Sequence, residues 1–181
     1  VGAAKLQALG TLTCPQPLFS APAPAPSTCS SGPTPTPAES GLVSLWPFDG
    51  ATGRDLSGNT NVLTIVGSGF TSTSDMCGTP GAAIQFPTTA STTNYLKGEG
   101  AMWSAINDFT LSFWFHQTGV ASRWQCVASL ADSGTDNHLT IMLQDGGIYM
   151  FFGGPTVFDW KPGQSVVNPN QWHHLAVARS G

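Results

Sequence analysis

Eight of the chain's fourteen prolines fall within its first 40 residues, and that crowding limits what those residues can become. Each proline removes an N–H donor and drives the residue before it out of the α region. Across Ala21-Pro22-Ala23-Pro24-Ala25-Pro26-Ser27-Thr28 and Pro33-Thr34-Pro35-Thr36-Pro37, neither a helix nor a central strand can form. Polyproline II is the natural state, and at ~3.1 Å per residue twenty such residues span roughly 60 Å. The same 40 residues hold only two charged side chains, Lys5 and Glu39. A composition break near Ser40 therefore divides the chain into a strand-like segment 1–14, a Pro/Ser/Thr-rich extended linker 15–40 and a domain 41–181.

Within the first segment Ala4, Leu6, Ala8, Gly10 and Leu12 fall on one side of a period-two pattern. Lys5, Gln7, Leu9, Thr11 and Thr13 fall on the other, with Leu9 the one misfit. That alternation predicts a half-buried strand. A short helix over 3–9 competes, because Ala, Lys, Leu and Gln are good helix formers.

Six Lys plus Arg against ten Asp plus Glu give a net charge of −4. So few cations exclude a nucleic-acid surface. No apolar run approaches the ~20 residues of a membrane-spanning helix. Charged residues make up 9% of the chain, well below the ~25% of ordinary soluble domains. Six Trp and ten Phe still supply the bulk of a core. Four cysteines, Cys14, Cys29, Cys77 and Cys126, lie in no CxxC and have no His at zinc-finger spacing. Their even number suits an oxidising compartment. Of the three pairings open to them, Cys14–Cys29 with Cys77–Cys126 is favoured, since each bond then stays within one compositional region. The opening Val1-Gly2-Ala3-Ala4-Lys5 has no apolar h-region, as expected of a processed, secreted chain. No Asn-x-Ser/Thr sequon occurs, so any glycans are expected to be O-linked.

From Gly41 onward the pattern is β. Strands are expected over 42–47, 62–66, 83–86, 95–96, 109–116, 125–130, 138–143, 147–152 and 172–178, punctuated by Gly- and Asp-bearing turns. Phe109, Leu111, Phe113 and Phe115 alternate with Thr110, Ser112 and Trp114. Phe109, Leu111, Phe113, Trp172 and Leu175 are expected among the buried or partly buried residues. Residues 138–143 and 147–152 meet across a Gly-bearing loop, a hairpin signature. The expected fold is all-β, an antiparallel two-sheet jelly-roll sandwich with an extended N-terminal tail.

The order of motifs adds a resemblance. Gly41-Leu42-Val43-Ser44-Leu45-Trp46-Pro47-Phe48-Asp49-Gly50, Asp55-Leu56-Ser57-Gly58-Asn59-Thr60-Asn61, Ala82-Ala83-Ile84-Gln85-Phe86 with Asn94-Tyr95-Leu96, Asp108-Phe109-Thr110-Leu111-Ser112-Phe113-Trp114-Phe115 and Gln171-Trp172-His173-His174-Leu175-Ala176-Val177 follow one another. In this order they resemble the laminin-G-like, concanavalin A-type jelly roll of secreted lectins, glucanases and adhesion modules. The resemblance implies fold more than function, because the fold hosts many activities. It also implies further strands after the Trp-His-His strand, the last closing against the first. With the sequence ending at Ser180-Gly181, the expectation is either a fragment or an open sandwich whose free edge invites association. The Ala-Pro, Ser-Thr and Thr-Pro dipeptides resemble arabinogalactan-type glycomodules. That resemblance implies O-glycans on Pro22, Pro24, Pro26, Pro33, Pro35 and Pro37, while mucin-type modification of Ser27, Thr28, Thr34 and Thr36 fits the sequence equally well.

Catalytic chemistry is not expected. Glycoside hydrolysis needs two carboxylates flanking one bond, and the two glutamates, Glu39 and Glu99, are far apart, with no Glu-x-Asp-x-x-Glu run. His173 and His174 are adjacent and face opposite sides of a strand, which suits structural roles. No cofactor is required. A structural calcium ion is the one candidate metal: Asp49, Asp55 and Asn59 share an early loop, and the family resemblance implies calcium in such loops. The competing reading is that Asp55 and Asn59 cap a Gly-containing turn. Trp124 and Trp160 flank polar loops and are candidates for stacking on sugar rings.

Two functions fit. One is a structural subunit of an extracellular filament, a homopolymer linked head-to-tail by its N-terminal segment, with Ala4, Leu6, Ala8 and Leu12 as the self-assembly residues. The other is a carbohydrate-binding or adhesion module on a stalk, with glycans as partners.

Overall fold

A computed structural model of the chain describes residues 3–7, 41–88, 93–99, 108–119, 123–130, 139–152, 158–160 and 166–180. These form twelve strands: β1 (Ala3–Gln7), β2 (Leu45–Trp46), β3 (Thr64–Val66), β4 (Thr71–Thr73), β5 (Ala83–Gln85), β6 (Tyr95–Lys97), β7 (Phe109–His116), β8 (Gln125–Leu130), β9 (Leu139–Gln144), β10 (Gly147–Phe152), β11 (Phe158–Trp160) and β12 (Trp172–Arg179). A single 3-10 turn, Asp49–Ala51, interrupts them. No helix among the described residues is long and apolar enough to cross a membrane.

The strands build two main antiparallel sheets and a small ribbon. The first sheet runs β12-β7-β1-β5-β4, with β2 also paired to β1. The second runs β11-β10-β9-β8, and β3 pairs with β6 apart from both. Alternation decides which faces meet. Leu111, Phe113 and Phe115 of β7 and Leu139, Ile141 and Leu143 of β9 are all buried, and with Val167 and Val177 they form one cluster between the sheets. Phe109 and Leu175 pack against it half-buried. A second cluster, Trp46, Phe48 and Ile84, lies at the β2/β5 end and is covered by Leu63, Phe70, Phe86 and Leu96. The expected two-sheet, all-β sandwich is present.

Most long strands fall where alternation puts them. The β9–β10 connection is a two-residue turn with Asp145 at φ 49° and Gly146 at φ 74°. Positive φ at both positions is the geometry that follows the twist of a hairpin, and Asp-Gly accommodates it at little cost. Three expectations need correction. The strand expected over 42–47 is only Leu45–Trp46, because side chains occupy the preceding carbonyls. The Val43 carbonyl accepts from Ser57 Oγ, Asn59 Nδ2 and Asn61 Nδ2, and that of Leu42 accepts from Asn59 Nδ2. β4, Thr71-Ser72-Thr73, was not expected, since an exposed edge strand has no apolar alternation to show. β11, a short strand paired only with β10, was likewise not expected.

Candidate assembly site

β1 is an interior strand with both edges paired. One edge meets β7 over Ala4–Phe115, Lys5–Trp114, Leu6–Phe113 and Gln7–Ser112. The other meets β5 at Ala3–Gln85 and Ala4–Ile84, then β2 at Leu6–Trp46 and Gln7–Leu45. Among the described residues β7 has no other neighbour on that side, and β5 and β2 have none on theirs. Without β1 the first sheet would split into β12–β7 and a remnant of β2, β5 and β4. The register also ties the two cores together. Ala4 stands between Phe115 of one cluster and Ile84 of the other, and Leu6 between Phe113 and Trp46. Of the four proposed self-assembly residues, Ala4 and Leu6 thus occupy register positions flanked by buried residues, while Ala8 and Leu12 lie outside the described residues.

The connection out of this strand is unusual. Gln7 and Leu45 are register partners, so their Cα atoms stand ~5 Å apart in an antiparallel ladder. Residues 8–44 join them, where two to five residues suffice for a hairpin.

The Asp55 loop secures the entry to β2. Asp55 Oδ1 accepts from Leu45 N at 2.9 Å and Ser57 N at 2.8 Å, and Oδ2 accepts from Ser57 Oγ and Asn61 N, each at 2.8 Å. Partial desolvation opposes the charge, but these four hydrogen bonds outweigh it and hold the carboxyl below its ordinary value. A carboxylate offers about four lone-pair sites, and here each faces a donor. Asn59 is committed through Nδ2 to the Leu42 and Val43 carbonyls. Asp49 sits in the 3-10 turn, its backbone carbonyl accepting from Thr52 Oγ1. This donor set does not suit calcium. Among the described residues no three His, Cys, Asp or Glu side chains converge on a metal-sized point.

The cysteine expectation is corrected. Cys126 carries a free, exposed thiol, so it is not joined to Cys77. Cys126 lies on β8 opposite Met142 in the second sheet, and Cys77 follows β4 of the first. Shared composition along the chain does not encode nearness across a sandwich. Cys14 and Cys29 lie outside the described residues, as do Ser27, Thr28, Thr34, Thr36 and the six prolines named with them.

Two aromatic faces look outward, and the sequence motifs concealed one of them. On β7 and β12, Trp114 packs on His174 with ring centroids 5.0 Å apart, and His116 on Trp172 at 5.5 Å. Ser112 Oγ and His174 Nε2 lie 2.8 Å apart. Partial desolvation there pushes the His174 pKa below its ordinary value. His173 faces the other way, stacking near Phe115 at 5.5 Å and donating through Nε2 to the Asn168 carbonyl. The adjacent histidines therefore serve opposite faces, as the strand period requires. Trp124 is exposed, and Trp160 is located by backbone register opposite Met150.

A family model described as the concanavalin A-like lectin/glucanases superfamily matches residues 89–181. No curated protein and no solved structure gives a match. The match takes in β7 and β12, which carry the Phe-Thr-x-Ser and Trp-His-His motifs, together with β6 and the whole second sheet. It spans just over half of the chain, and the packed pair of antiparallel sheets agrees with it: the chain belongs to the concanavalin A-like lectin/glucanase superfamily.

Proposed function

We propose that this protein is a structural subunit of an extracellular filament, in which β1 of one copy fills the slot between β7 and β5/β2 of the next. One observation carries the reading: β1 completes the sheet, yet it is tied to its neighbour Leu45 by residues 8–44 rather than by a hairpin turn. The same slot can receive the strand from its own chain or from another, and a long stiff spacer favours reaching outward. Strand addition satisfies the open N–H and C=O groups of three strands at once. Donor and acceptor surfaces differ, so the contact is head-to-tail and propagates. O-glycans on the spacer would keep it extended and solvated, and secretion follows from that role.

Chain termination provides the test. A variant lacking residues 1–13 keeps the acceptor slot but has no donor strand. Added to the full protein in rising proportion, it is expected to shorten polymers measured by light scattering, as a cap on growing ends. A full protein that stays monomeric at all concentrations, or polymers unaffected by the truncated chain, would overturn the reading.

A second reading, a glycan-binding module, has one observation in its favour: the half-buried Trp114, His116 and Trp172 and the exposed His174 on the outward side of β7 and β12. Stacking rings beside hydrogen-bonding groups suit a sugar. Oligosaccharide binding abolished by Trp172→Ala, in a protein that remains monomeric, would select this reading over the filament.

A further inference from the structure

The outward face of the second sheet carries an aromatic cluster that neither the strand slot nor the Trp–His face uses. Along β9 the buried positions are Leu139, Ile141 and Leu143, so Met142 and Thr140 lie on the opposite face. Register sets Tyr149 against Met142 and Phe151 against Thr140, which puts both rings on that outward face. Trp124, immediately before β8, closes on them edge-on. Its ring centroid lies 4.7 Å from that of Tyr149 at 72° and 5.9 Å from that of Phe151 at 65°. Trp124 nonetheless remains 47% exposed.

Rings that meet edge to face leave ridges and grooves rather than a flat surface. Aromatic-lined grooves are what polyproline II segments dock into, because the segment is already extended and loses little entropy. This chain supplies such a segment. The described backbone leaves the first sheet at Gln7 and resumes at Gly41, and residues 6–38 between the charges of Lys5 and Glu39 are uncharged and carry the Ala-Pro and Thr-Pro repeats. Residues 21–37 extend roughly 50 Å at ~3.1 Å each, enough to cross a sandwich face. Linkage within one chain or one filament also sets a high local concentration, in the mM range for flexible tethers, so even a weak contact is populated.

The geometry points to Trp124, Tyr149 and Phe151 as a docking groove for residues 21–37 of this same sequence, with proline rings seated against the three aromatic rings. The groove lies on the sheet that does not contain β1, so the proposal stands apart from strand donation.

Hydroxyl-radical footprinting of the full, unglycosylated chain tests it, read by mass spectrometry at Trp124 with Trp172 as internal control. The comparison is a full-length variant carrying Pro22→Ser, Pro24→Ser, Pro26→Ser, Pro33→Ser, Pro35→Ser and Pro37→Ser. Oxidation of Trp124 is expected to be about threefold faster in the variant, as a mostly occupied groove implies, with Trp172 unchanged. A synthetic peptide of residues 21–37 is expected to restore protection. Equal oxidation of Trp124 in the two chains overturns the proposal. So does protection restored by a soluble oligosaccharide and not by the peptide, which would make the cluster a sugar site. Protection of the serine variant that grows with its own concentration overturns it in favour of a second copy's folded surface. A second variant, Trp124→Ala, leaves the tract intact and alters an exposed position. It is expected to accelerate proteolysis within residues 21–37, and unchanged cleavage counts against the groove.

Discussion

Phe113 shows how much one alternating position can carry. It is buried in the inter-sheet cluster, stands opposite Leu175 on one side and Leu6 on the other, and lies 6.0 Å ring to ring from Phe115. Phe113→Ala is expected to cost roughly 3–5 kcal/mol in urea unfolding, the range for emptying a packed aromatic site. Asp55 acts differently, through hydrogen bonds that persist only while it is ionised. Its folded pKa lies below the unfolded value of 3.8. The unfolded chain therefore takes up the proton first, and the stabilisation is present above pH 3.8 and lost as pH falls through the folded value. Asp55→Asn should remove that acid-limb dependence while lowering stability at neutral pH, and a set of urea midpoints against pH measures both. His174 has the opposite charge and the same sign of slope. Its pKa is lowered from 6.5 by partial desolvation, so protonation favours the unfolded chain and stability falls as pH drops below about 6.5. His174→Gln should flatten the midpoint between pH 7 and pH 5. An unchanged slope would show that the Trp114–His174 stack does not control that titration.

Elements were legible in proportion to how regularly their burial alternates. β7, β8 and β10 coincide with the expected spans: β7 sets Phe109, Leu111, Phe113 and Phe115 at every second residue against the core, β10 does so with Ile148 and Met150, and β8 keeps its span across an irregularity between Cys126 and Ala128. β4 was hidden, being Thr-Ser-Thr at a sheet edge, and residues 42–44 misled because their carbonyls bond side chains from the Asp55 loop. β1 was readable as a strand from the alternation over residues 4–13, but its place between β5 and β7 was not, since alternation says nothing about which edges a strand joins. The aromatic groove was half legible: Trp124 stood out beside a polar loop, whereas Tyr149 and Phe151 became its companions only through the β9–β10 register. The same register makes a prediction about β1. Leu6 stands in register between Phe113 and Trp46, and Lys5 is the register partner of Trp114. Leu6→Asp is expected to abolish assembly and to forfeit roughly 1.5–3 kcal/mol from lost apolar burial alone. Lys5→Asp should leave both nearly unchanged. Thermal melts and light scattering on the pair separate a face-specific strand from a sticky tail, for which both substitutions would act alike.

At the scale of the whole molecule, the decisive quantity is the length of chain between two residues that are already neighbours. Gln7 and Leu45 pair across the sheet, and residues 8–44 close the gap. Closing a loop costs about 0.6 kcal/mol more for each doubling of its length, and stiff proline tracts cost beyond that. On the proposed reading, the segment that handicaps self-insertion also lets the strand reach another copy. Replacing residues 10–40 with Gly-Ser-Gly shortens the connection about fourfold, which favours self-insertion by about 1 kcal/mol on this scaling. It also removes the stiffness and reach that donation needs. Parent and variant are compared under reducing conditions, so that their different cysteine content does not decide the outcome. The shortened chain is expected to be a monomer at every concentration, to melt above the parent and to refuse a peptide of residues 1–13, because its slot is filled. The parent should melt at a temperature that rises with concentration, since a strand supplied by another copy stabilises by mass action. Sedimentation velocity distinguishes the two outcomes directly. If the shortened chain still forms polymers of the parent's dimensions, copies join through some other surface and β1 serves only its own sheet.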